Sequence, residues 1–133
     1  MKDFEKVFED WLEKSLEAEI SDEVKAFSFN LDESAYEDGY EFGAELIGAE
    51  RFDLNDEDWA CDEIWEPIQR KIYIPISYSG ETWESCLVKM RNLVIKYLSS
   101  NKSTAQKLKS REGVGIGFVD GNLEVIWSRK ENI

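Results

Sequence analysis

The sequence predicts an α+β domain: one antiparallel or mixed sheet of about five strands, with two long helices and one short helix packed mainly on one face. Three observations carry this. Two stretches place apolar residues at helical spacing, several others alternate apolar and polar, and Asp-Gly pairs separate the alternating runs. The resulting order α, β, β, β, α, α, β, β suits helices gathered on one side of a sheet.

Phe4, Val7, Phe8, Trp11, Leu12, Leu16 and Ile20 form one helical stripe, which sets a first helix from about Asp3 to Glu19 with Asp3 as its cap. In KAFSFNL, Ala26, Phe27, Phe29 and Leu31 nearly alternate, and Tyr40, Phe42, Ala44 and Leu46 share one phase. Asp38-Gly39 lies between them, so Val24 to Asp32 and Tyr40 to Ala49 are expected to pair as an antiparallel hairpin. Ile72, Ile74 and Ile76 form one face of a further strand. Pro75 lacks the N–H that a ladder needs, so this strand belongs at a sheet edge or beside a bulge. Trp83, Cys86, Leu87, Met90, Val94, Tyr97 and Leu98 mark a second long helix from about Glu81 to Ser100, capped by Ser79 or Thr82, and both helical stripes are assigned to the core. Ser103-Thr-Ala-Gln106 fits a capping box opening a short helix to about Arg111. Asp120-Gly121 then joins Val114 to Val119 with Leu123 to Trp127 as a closing hairpin.

At 133 residues, 1–133 is expected to be a single globular domain with one core. A 42% hydrophobic content places the net charge of −13 on a folded body rather than a disordered acidic tail. No long apolar run occurs, so a cytoplasmic protein with no membrane partner is expected. Cys61 and Cys86 are then two reduced thiols. Histidine is absent, which removes the usual neutral-pH base, Ser-His and Cys-His nucleophile pairs, and His-containing zinc sites. No catalytic motif and no cofactor-binding or metal-binding residue is assigned.

Charge is uneven along the chain. Residues 1–66 carry 23 acidic against 5 basic side chains, whereas residues 67–133 carry 6 against 11. One strongly negative face is expected, suited to a basic protein partner and not to nucleic acid. The basic segment Lys102 to Arg111 is assigned to complementing the protein's own acidic half.

The densest negative stretch is FDLNDEDWACDEIWE, Phe52 to Glu66, with seven carboxylates and no basic residue inside it. It fails as a calcium loop. Counted from Asp53, Asp58 stands where the turn glycine belongs and Ile64 where a bidentate Glu belongs. A pair of catalytic carboxylates is compatible with so many acids but is not specified by them. Gly113, Gly115 and Gly117 alternate inside a strand that enters a hairpin, not in a strand-turn-helix phosphate loop, so they serve close packing on the sheet. Cys61, among acids, is assigned to packing rather than to reactivity. Recognition remains. Asp53, Asp56, Glu57, Asp58, Asp62, Glu63 and Glu66 would steer a basic partner, while Trp59 and Trp65 fit either its anchors or anchors into this protein's own core.

The segment YEFGAELIGAERFDLNDEDWACDEIWEP, with the size, acidity and α+β pattern of the chain, resembles small acidic bacterial immunity-type proteins of polymorphic or contact-dependent toxin systems. The resemblance implies a non-enzymatic inhibitor, possessing no functional residues that carry over by position, which occludes the basic active-site groove of a toxin such as a nuclease domain. Two other classes stay open at this point: a small carboxylate-dependent or divalent-metal-dependent enzyme, and an adaptor domain that uses the Ile72 to Ile76 edge for strand addition. Oligomeric state is not specified by the sequence.

Overall fold

The computed structural model describes residues 3–129. Helix α1, Phe4–Ser15, is capped by the Asp3 carboxylate, which accepts from the Lys6 amide. It ends four residues before the expected Glu19. Strands β1, Ala26–Glu37, and β2, Tyr40–Ala49, form the expected hairpin, although β1 runs five residues past Asp32 through a register shift between Glu33 and Glu37. At its turn, Gly39 alone takes a positive φ, +88°. A 3₁₀ turn, Glu57–Cys61, and a short strand β3, Glu63–Trp65, organise the acidic stretch. Strand β4, Lys71–Pro75, is followed at once by the one-turn helix α2, Ile76–Ser79, so Ile76 starts a helix instead of extending the strand. Helix α3 is Trp83–Leu98, capped by Thr82, whose hydroxyl accepts from the Ser85 amide. Helix α4, Ser103–Leu108, has no side-chain cap, so the capping box at Ser103 does not form. Strands β5, Gly113–Phe118, and β6, Glu124–Ser128, close the described chain as an antiparallel pair. Their connection is wider than a tight Asp-Gly turn, and Gly121 keeps an ordinary φ.

The sheet is mixed and six-stranded. Its order is β3-β2-β1-β5-β6, and β4 also pairs with β2 along the outer edge, beside β3. β1 and β5 are parallel, joined across by the helices, while the other pairs are antiparallel. Strand periodicity divides the sheet into two unlike faces. Phe27, Phe29 and Leu31 of β1, Phe42, Ala44 and Leu46 of β2, Ile72 and Ile74 of β4, and Val114 and Ile116 of β5 point to the helices. There they pack with Phe8, Trp11 and Leu12 of α1, Met90, Val94 and Tyr97 of α3, and Ala105 and Leu108 of α4. The opposite face is built from small groups: Ala26, Ser28 and Asn30 of β1 lie in register with Gly113, Gly115 and Gly117 of β5. A smaller cluster of Ala26, Ile47, Ala49 and Trp59 covers one end of it.

The glycines leave room for what lies on this second face. A Cβ at Gly113 would fall 2.4 Å from the Phe52 ring, one at Gly115 3.0 Å from Trp59, and one at Gly117 2.4 Å from the Asn122 carbonyl oxygen. The basic second half folds back on the acidic first half, as its sequence suggested. Lys96 reaches Glu5 at 3.1 Å, and Lys102 reaches Glu9 and Glu13 at 3.8 and 3.6 Å. Arg111 donates to the carbonyls of Ile20, Ser21 and Val24, and Lys107 to those of Leu16 and Ala18. The carboxylates of α1 are therefore largely answered within the chain, Asp10 by Lys6 and Glu5, Glu9 and Glu13 by Lys96 and Lys102.

Candidate functional site

The acidic stretch is a structured cover over the glycine-rich face. Asp53 Oδ1 accepts from the Asn55 amide at 2.9 Å, and Asp56 Oδ1 caps the 3₁₀ turn by accepting from the Asp58 amide at 3.0 Å. Both are the side-chain-to-backbone bonds that make aspartate favourable at turns. Trp59 is fully buried and meets Phe52 edge-on at 5.1 Å. Trp65 is half-buried and packs edge-on against Phe27 at 5.8 Å. These placements decide between the two readings for Trp59, which anchors the stretch into this protein's own core, while Trp65 keeps part of its ring exposed at a cleft. Burying an indole on the flat patch of Ala26, Ile47, Ala49 and Gly115 removes more apolar surface from water than leaving it outside, and this holds the stretch on the sheet.

Two arginines just outside the stretch offset part of its charge. Arg51 pairs with Asp62 and, at 3.3 Å, with Asp56. Arg70 bonds Glu63 through both terminal guanidinium nitrogens, one contact at 2.8 Å, and also reaches Glu66 and, at 3.3 Å, Glu45. Hydrogen bonding to Glu63, foremost, holds the Arg70 guanidinium above its ordinary pKa. Asp53, Glu57 and Asp58 remain exposed and have no ion-pair partner among the described residues.

The nine residues singled out in the sequence do not form one surface. Glu57, Asp58 and Glu63 line a groove of about 340 Å³ over the sheet, together with Asn30, Glu45 and Arg70. Asp53 and Glu57 face a second cleft of about 270 Å³ backed by Trp59. Trp65 and Glu66 turn to a third, of about 290 Å³, shared with Trp11 and the fully exposed Ile68. Asp56 and Asp62 spend their carboxylates on Arg51 and the backbone. Of the three, the groove gathers the most carboxylates of the stretch.

Cys61 is exposed at the edge of this groove, which corrects its assignment to packing, because the short 3₁₀ turn directs Trp59 inward and leaves Cys61 on the outer side. Cys86 is buried, and burial, aided by Glu33, pushes its thiol up to about 12. Both thiols are free. Among the described residues no three Cys, Asp or Glu side chains converge as a metal site requires. None of the described helices is long and apolar enough to cross a membrane.

Sequence reasoning missed a fourth cleft. Trp83 follows the helical spacing of the α3 stripe, yet it is 50% exposed, and burial on α3 begins only at Cys86. Its indole meets Phe118 edge-on at 6.0 Å and lines a cleft of about 370 Å³ with Asp32, Glu33, Val119, Asp120 and Gly121. The acids flanking Trp83, Glu81 and Glu84, were the available signal for a solvated first turn.

Comparison of the chain with protein-family models, with curated proteins and with solved structures found no match.

Proposed function

We propose that this chain is a non-enzymatic acidic binding protein of the cytoplasm that engages a basic protein, in the manner of an immunity-type inhibitor occluding a toxin's cationic groove. The observation supporting it is the groove over the second sheet face, where Glu57 and Asp58 stand exposed and unneutralised on a cover that buried Trp59 holds in place. Carboxylates held by a rigid support lose little conformational freedom when a partner's Lys and Arg side chains arrive, and their field accelerates the encounter. The test is calorimetric titration of a basic partner retained from native lysate, at two salt concentrations, against the wild type and the double variant Glu57→Lys/Asp58→Lys. Asp56 is left alone because it caps the 3₁₀ turn. A loss of affinity of at least about tenfold, shrinking as salt is raised, is expected. Equal affinity and equal salt dependence in the two proteins would overturn the proposal.

A further inference from the structure

Asp120 and Glu33 are exposed at the Trp83 cleft, and among the described residues neither has an ion-pair partner. Asp32, at the same cleft, is held by Lys71 at 2.6 Å. Among the described residues no Lys or Arg lines the cleft, so two carboxylates and an aromatic wall face solvent with no described cation between them. An indole beside carboxylates is the environment in which a guanidinium does best: its plane stacks on the ring while its N–H groups bond the acids, an arrangement that a lysine ammonium reproduces less well. Phe118, Val119 and Gly121 line this cleft and also the groove under Glu57 and Asp58, so the two adjoin across the β5–β6 connection.

We infer that the Trp83 cleft receives an arginine side chain of the basic partner, making Trp83 an interface anchor that fully buried Trp59 does not supply. This rests on the proposed function for its partner, while the cleft's preference for a guanidinium is testable without one. The probe is the peptide acetyl-Gly-Arg-Gly-amide, titrated into ¹⁵N-labelled protein with its citrulline analogue, a neutral isostere, as control. Saturable shifts are expected at the Trp83 indole N–H and at residues 32–33 and 118–121, and none with citrulline. Trp83→Ala should weaken binding about fivefold, the worth of one cation–π contact of about 1 kcal/mol. Glu33→Gln/Asp120→Asn, which leaves the indole and its packing in place, should weaken it at least as much. Equal binding of the citrulline peptide, shifts confined to the 53–58 region, or no saturation at any residue would overturn the inference. A cleft that takes the peptide while no basic protein is ever retained would sink the proposed function and leave the arginine site standing. Conversely, a partner weakened by Glu57→Lys/Asp58→Lys but indifferent to Trp83→Ala and to Glu33→Gln/Asp120→Asn would sink the arginine site alone.

Discussion

Replacing Trp59 tests how the acidic cover is held. Its indole is fully buried on the small-residue face, against Phe52 and over Gly115. A buried Trp removes about 150–250 Å² from water, worth about 4–6 kcal/mol at about 25 cal/mol per Å². Trp59→Ala keeps the Cβ, and it also deletes an indole N–H that has no hydrogen-bond partner in its buried position. Relief of that unsatisfied donor offsets about 1 kcal/mol, leaving a net loss of about 3–5 kcal/mol. Trp59→Phe sheds the donor and keeps one ring, so a loss of about 1 kcal/mol is expected. The indole Cζ2 is the atom nearest a Cβ built at Gly115, at 3.0 Å. Gly115→Ala should therefore destabilise the wild type by about 1 kcal/mol yet be neutral or stabilising in the Trp59→Phe background, a favourable coupling of about 1 kcal/mol. Urea denaturation followed by far-ultraviolet circular dichroism measures all four corners of the cycle independently of tryptophan emission. A cost below about 1 kcal/mol for Trp59→Ala, or a coupling of zero, would refute the packing of this ring on the glycine face.

Iodoacetamide at about pH 8 should label exposed Cys61 in the native protein and spare buried Cys86 until denaturant is added, as intact-mass spectrometry would show. The folded Cys86 thiol holds its proton to about 12 against an ordinary value of 9.0, chiefly through burial. Between those values the unfolded state binds fewer protons, so stability is full below about pH 9 and falls as pH rises, by up to about 1.4 kcal/mol per pH unit. Chemical denaturation from about pH 8 to about pH 11 should show Cys86→Ala declining less steeply than the wild type; parallel declines would refute this. Gly117→Ala drives a Cβ to 2.4 Å from the Asn122 carbonyl oxygen, a backbone atom with little freedom to withdraw, and a loss of at least about 2 kcal/mol in urea denaturation is expected. Thr82→Ala removes the α3 cap and should lower stability by about 1 kcal/mol in the same assay.

What the sequence disclosed follows the range of each signal. Periodicity located the long helices and the β1–β2 and β5–β6 hairpins, because it records which face of each element meets a core. It does not record neighbours, so the parallel seating of β5 on β1, and the shared edge of β3 and β4 along β2, appear in no local pattern. The alternating glycines were assigned correctly to close packing, yet their partners Phe52, Trp59 and Asn122 come from distant or turn positions. For the site, charge density pointed to the right stretch and overstated its unity. Arg51 and Arg70 stand just beyond its ends, and the spacing of Asp53, Asp56, Glu57 and Asp58 could not reveal which carboxylates serve turns and which face solvent. The sequence left Trp59 open between partner and core, and it turned inward; Trp83, assigned to the core with its stripe, is half-exposed on the first turn of α3.

The parallel contact between β1 and β5 also has a temporal side. A nascent chain that has not yet reached Arg111 has β1 paired on one edge only, and the carbonyls of Ile20, Ser21 and Val24 still lack their guanidinium donor. Until then the emerged portion is dominated by an acid-rich half whose mutual repulsion opposes collapse and keeps its apolar strands apart from other chains. Completion of the fold waits for residues 107–118, which deliver in one stretch the missing strand and the Lys107 and Arg111 donors to the carbonyls after α1, so synthesis order and assembly order are decoupled: the centre of the sheet is made early and finished late.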